Sequence, residues 1–383
     1  MKILNLAAYV WANGGPSQVI FEHTQQQLLL GHEVDILSFY RENDKFYSLP
    51  TGANLIPCKS HWFSKFFPDF SPDIYNYLKK NIHKYDLIII HGVWNFPGLV
   101  PFIIKNKATK LIVLHGTIGW FSLQKGKWKK DIYTWLFQRW AIKKADLIQV
   151  YHAKELADLD NYVGFRHTGA RMIPNGVDSL KFENLPLKGS FRNKHNISAD
   201  KKIILFLGRL DAKKGIDLLM PAFYEVLDKN KNAVLVLVGP DYGMLAYIKE
   251  FCKEKHIERD VLVAGLLTGE EKLEAFVDAN VFTLPSYSEG FSIAVLEAMI
   301  CKLPVVVSDE VGFPESIIAN SAGDVVPLEV SAIAKALLKY CDNDTLATET
   351  GNRAFELVKS TYEVKIVAKQ LLDAVNDYKK KQK

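Results

Sequence analysis

Residues 286–304 read SYSEGFSIAVLEAMICKLP. Glu289 and Glu297 stand eight residues apart, around a helix start near Ser292, a residue type that caps helices well. Backbone N–H groups at such a start can hold an anion or a ring of hydroxyls. A carboxylate at each end can accept paired hydrogen bonds from vicinal diols. Residues 206–215, FLGRLDAKKG, form a second constellation. There a glycine turn after a strand presents Arg209, and Lys213 and Lys214 precede the next helix. A guanidinium fork and a point-charge ammonium at a strand end suit a pyrophosphate. Each also has a plain alternative: a capped helix with one solvated glutamate, or a solvated basic loop. His91 in HGVW and His115 in LHGT follow two further strands, where either could be a satisfied structural histidine.

These residues need elements that bring strand ends to one level. Apolar runs rich in Val, Ile and Leu predict strands at 3–8, 33–39, 86–91, 110–115, 146–151 and 171–174. A second set falls at 202–208, 233–239, 261–265, 281–285 and 304–308. Helical stretches separate them, including 16–30, 128–144, 215–229 and 328–340, and residues 331–383 read as helical throughout. Continuous apolar strands alternating with helices argue for parallel sheets covered on both faces. The alternation occurs twice, on either side of the polar, aperiodic stretch 175–199. The expected fold class is α/β, with two doubly wound, Rossmann-like parallel-sheet domains facing across a cleft. The expected domains are 1–180 and 200–361, joined by a linker at 181–199, with a C-terminal helix at 362–383 packing back on the first. Ligands in such sheets bind beyond the carboxyl ends of the strands.

Composition agrees. The 383 residues, 48% hydrophobic and 24% charged, suit two domains of roughly 150–200 residues each. Cys58, Cys252, Cys301 and Cys341 stand far apart, so neither a disulfide framework nor a zinc knuckle is expected. No apolar run approaches about 18 residues, and the N-terminus lacks a signal-peptide core. The net charge of +5 is uneven. Residues 1–182 hold 22 basic against 14 acidic side chains, the remainder 26 against 29, and all seven tryptophans lie within the first 140 residues. A Walker A motif is absent. After the first strand the chain reads Asn13-Gly14-Gly15-Pro16-Ser17 rather than G-x-G-x-x-G, which weakens a nicotinamide oxidoreductase.

Taken together, Gly14-Gly15, G-R-L-x-x-K-K-G at 208–215, E-G-F-x-x-x-x-x-E at 289–297 and Asn175-Gly176-Val177-Asp178 resemble the GT-B retaining glycosyltransferases of family 4. The resemblance covers nearly the whole chain and is strongest over 200–315. It implies a transfer from a UDP- or GDP-sugar donor to a glycan or lipid-linked acceptor, through a front-face, oxocarbenium-like substitution. By it, Glu289 contacts the donor sugar and Glu297 the ribose, while Arg209 and Lys214 hold the diphosphate. Amides near Phe291, Ser292 and Ile293, with Gly208 and Gly239, line the donor side, and Gly14 and Gly15 bring backbone close to the diphosphate. His115 stands at the sugar end, and His91 and Trp94 on the acceptor side. Two positions depart from the family pattern: Lys302 stands where glycine is usual before Leu303-Pro304, and Val311-Gly312 where a glycine pair is usual.

Cations and helix-terminus amides can neutralise a departing diphosphate without a metal. No D-x-D motif stands out at a strand end, so no metal and no cofactor are expected. Residues 118–144, IGWFSLQKGKWKKDIYTWLFQRWAIKK, interleave lysines with aromatic side chains. Such a helix can lie on an anionic membrane surface. Alternatively, its apolar side chains pack on the sheet while its lysines face water. Nucleic acid is not expected, since no binding motif accompanies the charge. The expected location is cytoplasmic, peripheral at the inner face of the cell membrane. A GT-B epimerase or hydrolase, or a non-catalytic nucleotide-sugar-binding protein, would share the fold and the grip.

Overall fold

The computed structural model describes residues 1–7, 11, 15–40, 48–65, 67–119, 123–124 and 126–382. The chain divides into two units, Met1–Gly176 with Val364–Lys383, and Val177–Glu363.

The first unit is built on a seven-stranded sheet of β1 (Lys2–Ala7), β2 (Glu33–Tyr40), β3 (Asn54–Lys59), β4 (Leu87–His91), β5 (Thr109–Val113), β6 (Leu147–Val150) and β7 (Ala170–Met172). Its order is β3-β2-β1-β4-β5-β6-β7, with every neighbouring pair parallel. The second unit holds β8 (Lys202–Leu207), β9 (Ala233–Val238), β10 (Val261–Gly265), β11 (Val281–Leu284), β12 (Val305–Ser308) and β13 (Gly323–Val326). Their order is β10-β9-β8-β11-β12-β13, again all parallel. Both sheets wind outward from a central first strand. The chain direction across each sheet therefore reverses once, between β1 and β4 and between β8 and β11. A crevice opens at such a point because the helices on either side diverge.

Burial explains why these runs are strands. Every residue of β4, LIIIH, and of β9, AVLVLV, is buried, as helices on both faces require. All eleven expected strands are present. The two unpredicted strands, β3 and β13, are sheet edges. β3, NLIPCK, carries Pro57, which only an edge tolerates, and β13, GDVV, is short and only partly buried.

Residues 181–199 are not a linker. They fold onto the second unit, with a short helix at Ser190–Lys194 and Phe191 buried. The Arg192 guanidinium donates to the carbonyls of Ser198, Lys201 and Asp278 and to the Asn280 side chain, at 2.9–3.2 Å. Polar side chains rather than an apolar stripe anchor this stretch, which is why it shows no period. The helical tail is interrupted, as Val330–Cys341, Asp344–Leu357 with a π turn over Val358–Tyr362, and Val364–Lys381. The last of these helices belongs to the first unit, where the Tyr378 hydroxyl donates to Asp146 at 2.6 Å.

The helix expected at 128–144 runs from Lys127 to Lys144 and contains a π turn over Thr134–Gln138. Thr134 and Gln138, both buried, accept from the indole N–H and the backbone N–H of Trp94, at 2.9 and 3.0 Å. Among the described residues no helix is long and apolar enough to cross a membrane.

Candidate functional site

At the switch point of the second sheet, the loop after β8 carries Arg209, Lys213 and Lys214, and the loop after β11 carries Glu289. The second loop is hooked onto the first. The Ser286 hydroxyl and the Tyr287 N–H both donate to the Lys213 carbonyl at 2.9 Å, and the Glu289 N–H donates to Glu310 at 3.0 Å. This places the Glu289 carboxylate in an ion pair with the Lys214 ammonium. Gly215 makes the hook possible: its φ is +70°, and a Cβ there would stand 1.9 Å from the Pro285 carbonyl oxygen.

Arg209 lies 3.2 Å from Asp211, with its guanidinium over the Tyr242 ring at 5.1 Å. Half of the Arg209 side chain remains exposed, so it can turn to a ligand. The pKa of Lys213 is lowered, first by burial and further by the charges of Lys214 and Arg209, against which Glu289 acts. Three cations thus share two carboxylates, Glu289 and Asp211, and the excess is positive. Gly208 and Gly239 close the adjacent loops. Gly239 has φ +144°, and a Cβ there would fall 1.8 Å from the Gly208 carbonyl oxygen.

Ser292 caps the helix Ile293–Ile300 by accepting from the Val295 N–H at 3.4 Å. Phe291 is buried and stacked on Phe313 at 4.7 Å. Glu297 is buried within the helix and paired with Lys272 at 2.7 Å. No spacing in the sequence signals Lys272, because it comes from a different helix, Gly269–Asp278.

The first sheet's switch point is neutral. His115, at φ +53°, follows β5, and His91 ends β4. Asn5 of β1 donates through its amide to Thr24 and Gln27, at 3.0 and 3.1 Å, which leaves its oxygen as an acceptor. His91 Nε2–H therefore donates to Asn5 at 3.1 Å, and His91 Nδ1 accepts from His115 Nε2–H at 3.0 Å. His115 Nδ1 then accepts from the Tyr151 hydroxyl at 3.0 Å. With both imidazoles uncharged, every bond in this string has one donor and one acceptor. Burial, with the neighbouring His23 as a lesser cause, lowers the pKa of His115 to about 3, and burial lowers that of His91 well below its ordinary value. Glu155 holds the two loops together, accepting from Gly116 N–H at 3.0 Å and Tyr151 N–H at 2.6 Å. Burial raises its pKa to about 7 despite those bonds.

The expected residues thus fall in two groups. Lys214 and Glu289 meet directly, three residues before the helix cap Ser292, and Arg209 stands on the same loop as Lys214, paired with Asp211. His115 and His91 meet in the other unit. His91 is buried with both nitrogens engaged, one by His115 and one by Asn5. Trp94, at φ +59° and half-buried, is tied into the basic helix through Thr134 and Gln138, with the Lys130 ammonium 4.7 Å above its ring. Gly15 is exposed at the start of the helix Gly15–Leu29, and Gly14 lies outside the described residues. Tyr151, Asn5, Glu155 and Lys272 were not anticipated. The position of Tyr151, next after β6, was the one available signal.

The sequence model described as Glycosyl transferases group 1 matches residues 188–357, and that of Glycosyltransferase Family 4 matches residues 13–179. An uncharacterized glycosyltransferase of Methanocaldococcus jannaschii is 35% identical over 150 residues, 38% of this chain and 38% of that protein. The poly(ribitol-phosphate) alpha-N-acetylglucosaminyltransferase of Staphylococcus aureus is 28% identical over 305 residues, 78% of this chain and 57% of that protein. The chain spans 38–51% of the length of the first three curated relatives it matches. The crystal structure of Anabaena HepE in complex with UDP and glucose matches with a TM-score of 0.79, over 98% of this chain and 100% of that one, at 16% identity. That likeness is one of fold.

Proposed function

Because the chain belongs to the group 1 and family 4 glycosyltransferases, we propose that it is a retaining hexosyltransferase that uses a nucleotide-diphosphate sugar. The acceptor in this reading is a glycan or lipid-linked glycan of surface polysaccharide synthesis. The observation that carries the proposal is the Lys214–Glu289 ion pair at the second sheet's switch point, with Arg209 on the same loop as Lys214 and Glu289 just before the helix Ile293–Ile300.

Lys214 and Arg209 take up the negative charge that develops on the diphosphate as the sugar's anomeric C–O bond breaks. Glu289 exchanges its bond to Lys214 for the sugar's hydroxyls. Glu297 accepts from the ribose hydroxyls, and the amides of Phe291, Ser292 and Ile293 face the anion. The acceptor oxygen bonds to the anomeric carbon on the face the diphosphate leaves, and its proton passes toward the leaving phosphate oxygen. The three cations do the work that a metal ion would otherwise do, so the reaction in this reading is metal-independent. The HepE complex with UDP and glucose supports a nucleotide-sugar donor, and the poly(ribitol-phosphate) relative supports a polymeric acceptor.

The chain docks peripherally on the cytoplasmic face of the membrane through its basic aromatic helix. Trp128, Ile132, Trp135 and Leu136 are exposed along it, Trp135 by 73%. Large apolar side chains set among lysines suit a lipid headgroup layer.

A thermal-shift panel of UDP- and GDP-sugars tests the donor, since a bound donor raises Tm. An NMR assignment of the product's anomeric configuration tests retention. No shift with any nucleotide sugar would overturn the proposal.

A further inference from the structure

A cavity of about 820 Å³ opens in the first unit, at the sheet edge opposite His115 and Tyr151. Asp146 and Gly169 line it, and they directly precede β6 and β7. His115 and Tyr151 lie past the other ends of β5 and β6. β6 has four residues, so the two places are separated by roughly 13 Å of strand.

Arg139, Lys143, Arg166, Arg171 and Lys381 also line the cavity. Among the described residues none of the five forms an ion pair with a carboxylate. Asp146 is the one acid in the lining, and it is already engaged by the Tyr378 hydroxyl at 2.6 Å and the Lys110 N–H at 2.8 Å. His167 bonds through Nε2 to the Ala145 carbonyl and through Nδ1 to the Gly169 N–H, an arrangement that requires the neutral ring. The Arg171 guanidinium is oriented by the carbonyls of Thr168 and Ala170, at 3.1 and 2.8 Å. Five cations around one cavity repel one another, and an anion with several acceptor oxygens relieves that repulsion.

The occupant follows from what adjoins the cavity. Arg139 and Lys143 lie on the same basic helix as the exposed Trp128, Ile132, Trp135 and Leu136, so one element carries both exposed apolar side chains and part of the cavity rim. A ligand that joins a phosphate to an apolar chain fits both parts, whereas a free phosphate or a charged glycan uses only one. We propose that this cavity binds the phosphate of an anionic phospholipid headgroup while the Trp128–Trp135 stripe lies among the acyl chains. This deepens the membrane reading above and rests on it.

The test uses the full chain with vesicles of phosphatidylcholine alone or mixed with phosphatidylglycerol, and with inorganic phosphate. Arg166→Gln with Arg171→Gln, neither on the basic helix, is expected to weaken sedimentation with phosphatidylglycerol vesicles by about tenfold or more. Melting temperature and nucleotide affinity stay unchanged. Lys143→Gln with Lys381→Gln gives the same result if the cavity, rather than one loop, is responsible. Wild-type binding by both double variants, with loss on Trp128→Ala and Trp135→Ala, overturns the cavity while the membrane reading stands. Failure of the wild-type chain to bind any vesicle overturns both. Binding of inorganic phosphate or a polyanionic glycan that depends on Arg166 and Arg171, without vesicle binding, assigns the cavity a soluble ligand and overturns the lipid.

Discussion

The two sheets have the same winding order, yet their switch points handle polarity in opposite ways. The second holds charges in pairs that a ligand can exchange, Lys214 with Glu289 and Arg209 with Asp211, beside a buried carboxylate, Glu297, paired with Lys272. The first holds a string of uncharged groups, Asn5–His91–His115–Tyr151, in which every donor meets one acceptor. An ion pair at a partly exposed surface tolerates re-pairing, because water and ligand can replace either partner. A buried neutral string resists change, since an added proton places a charge where burial disfavours it. The topology places both sites, and the side chains decide which one yields to a ligand and which one stays rigid.

The sharpest way to break this contrast is Lys214→Ala and, separately, Arg209→Ala. Each is expected to lower kcat by about 10²-fold or more in a donor-turnover assay, through lost charge stabilisation of the leaving diphosphate. Near-normal kcat in both removes the ionic half of the comparison. Next comes Lys272→Ala, which removes the ammonium from the buried Glu297 carboxylate and costs about 2 kcal/mol in urea unfolding, less than a fully buried pair because Lys272 is partly exposed. Adding Glu297→Gln should restore most of that loss; no recovery would mean that Lys272 acts by packing alone.

Acid tests the neutral string. His115 titrates at about 3 and His23 at about 4 in the folded chain, against 6.5 unfolded. The unfolded state therefore binds more protons below about pH 6.5, and stability falls as pH drops. Each histidine contributes about 1.4 kcal/mol per pH unit in that window. Glu155 works the other way: with its folded pKa raised to about 7, its contribution is lost as pH rises through 7. Unfolding midpoints at pH 7 and pH 5 should show net loss on acidification, with a shallower slope in His115→Gln. Identical slopes would show that His115 is protonated in the fold. Tyr151→Phe removes one donor from the string and is expected to lower kcat roughly fivefold at unchanged nucleotide affinity. An equal change in nucleotide affinity would place Tyr151 in donor binding instead.

The smallest effect concerns Lys302, which has φ +61° at the end of the helix Ile293–Ile300. Lys302→Gly relieves left-handed strain and loses a contact with Phe355, where the ammonium sits 5.2 Å from the ring. The balance is a gain of up to about 1 kcal/mol in the same unfolding assay. A loss of stability would mean that the contact with Phe355 outweighs the strain.

Strand runs such as LIIIH and AVLVLV were legible because burial on both faces leaves a continuous apolar signature. The edge strands were not, since a strand with one neighbour can carry Pro57 or a Gly-Asp pair. Residues 181–199 misled for the opposite reason: Arg192 and Asp278 anchor them by hydrogen bonds, which leave no periodicity in a sequence. In the site, Arg209, Lys214, Glu289 and Glu297 were found through their short spacing within two segments. Lys272, Asn5 and Tyr151 reach their partners from distant strands and helices, so only the folded chain brings them together. The structure also explains why glycine is usual where Lys302 stands, since the backbone is left-handed there.

The π turn at Thr134–Gln138 has a bearing on how this helix tolerates insertions and deletions. One extra residue in a turn advances the downstream helix by about 100° relative to an unbroken one. Deleting a single residue there would swing Arg139, Trp140 and Lys143 around the axis relative to Trp128 and Ile132, and would pull Thr134 and Gln138 out of register with Trp94. Related chains that lack the extra residue would therefore have to present a different outward face. Length within these five positions, more than the identity of any one of them, governs which surface the helix shows.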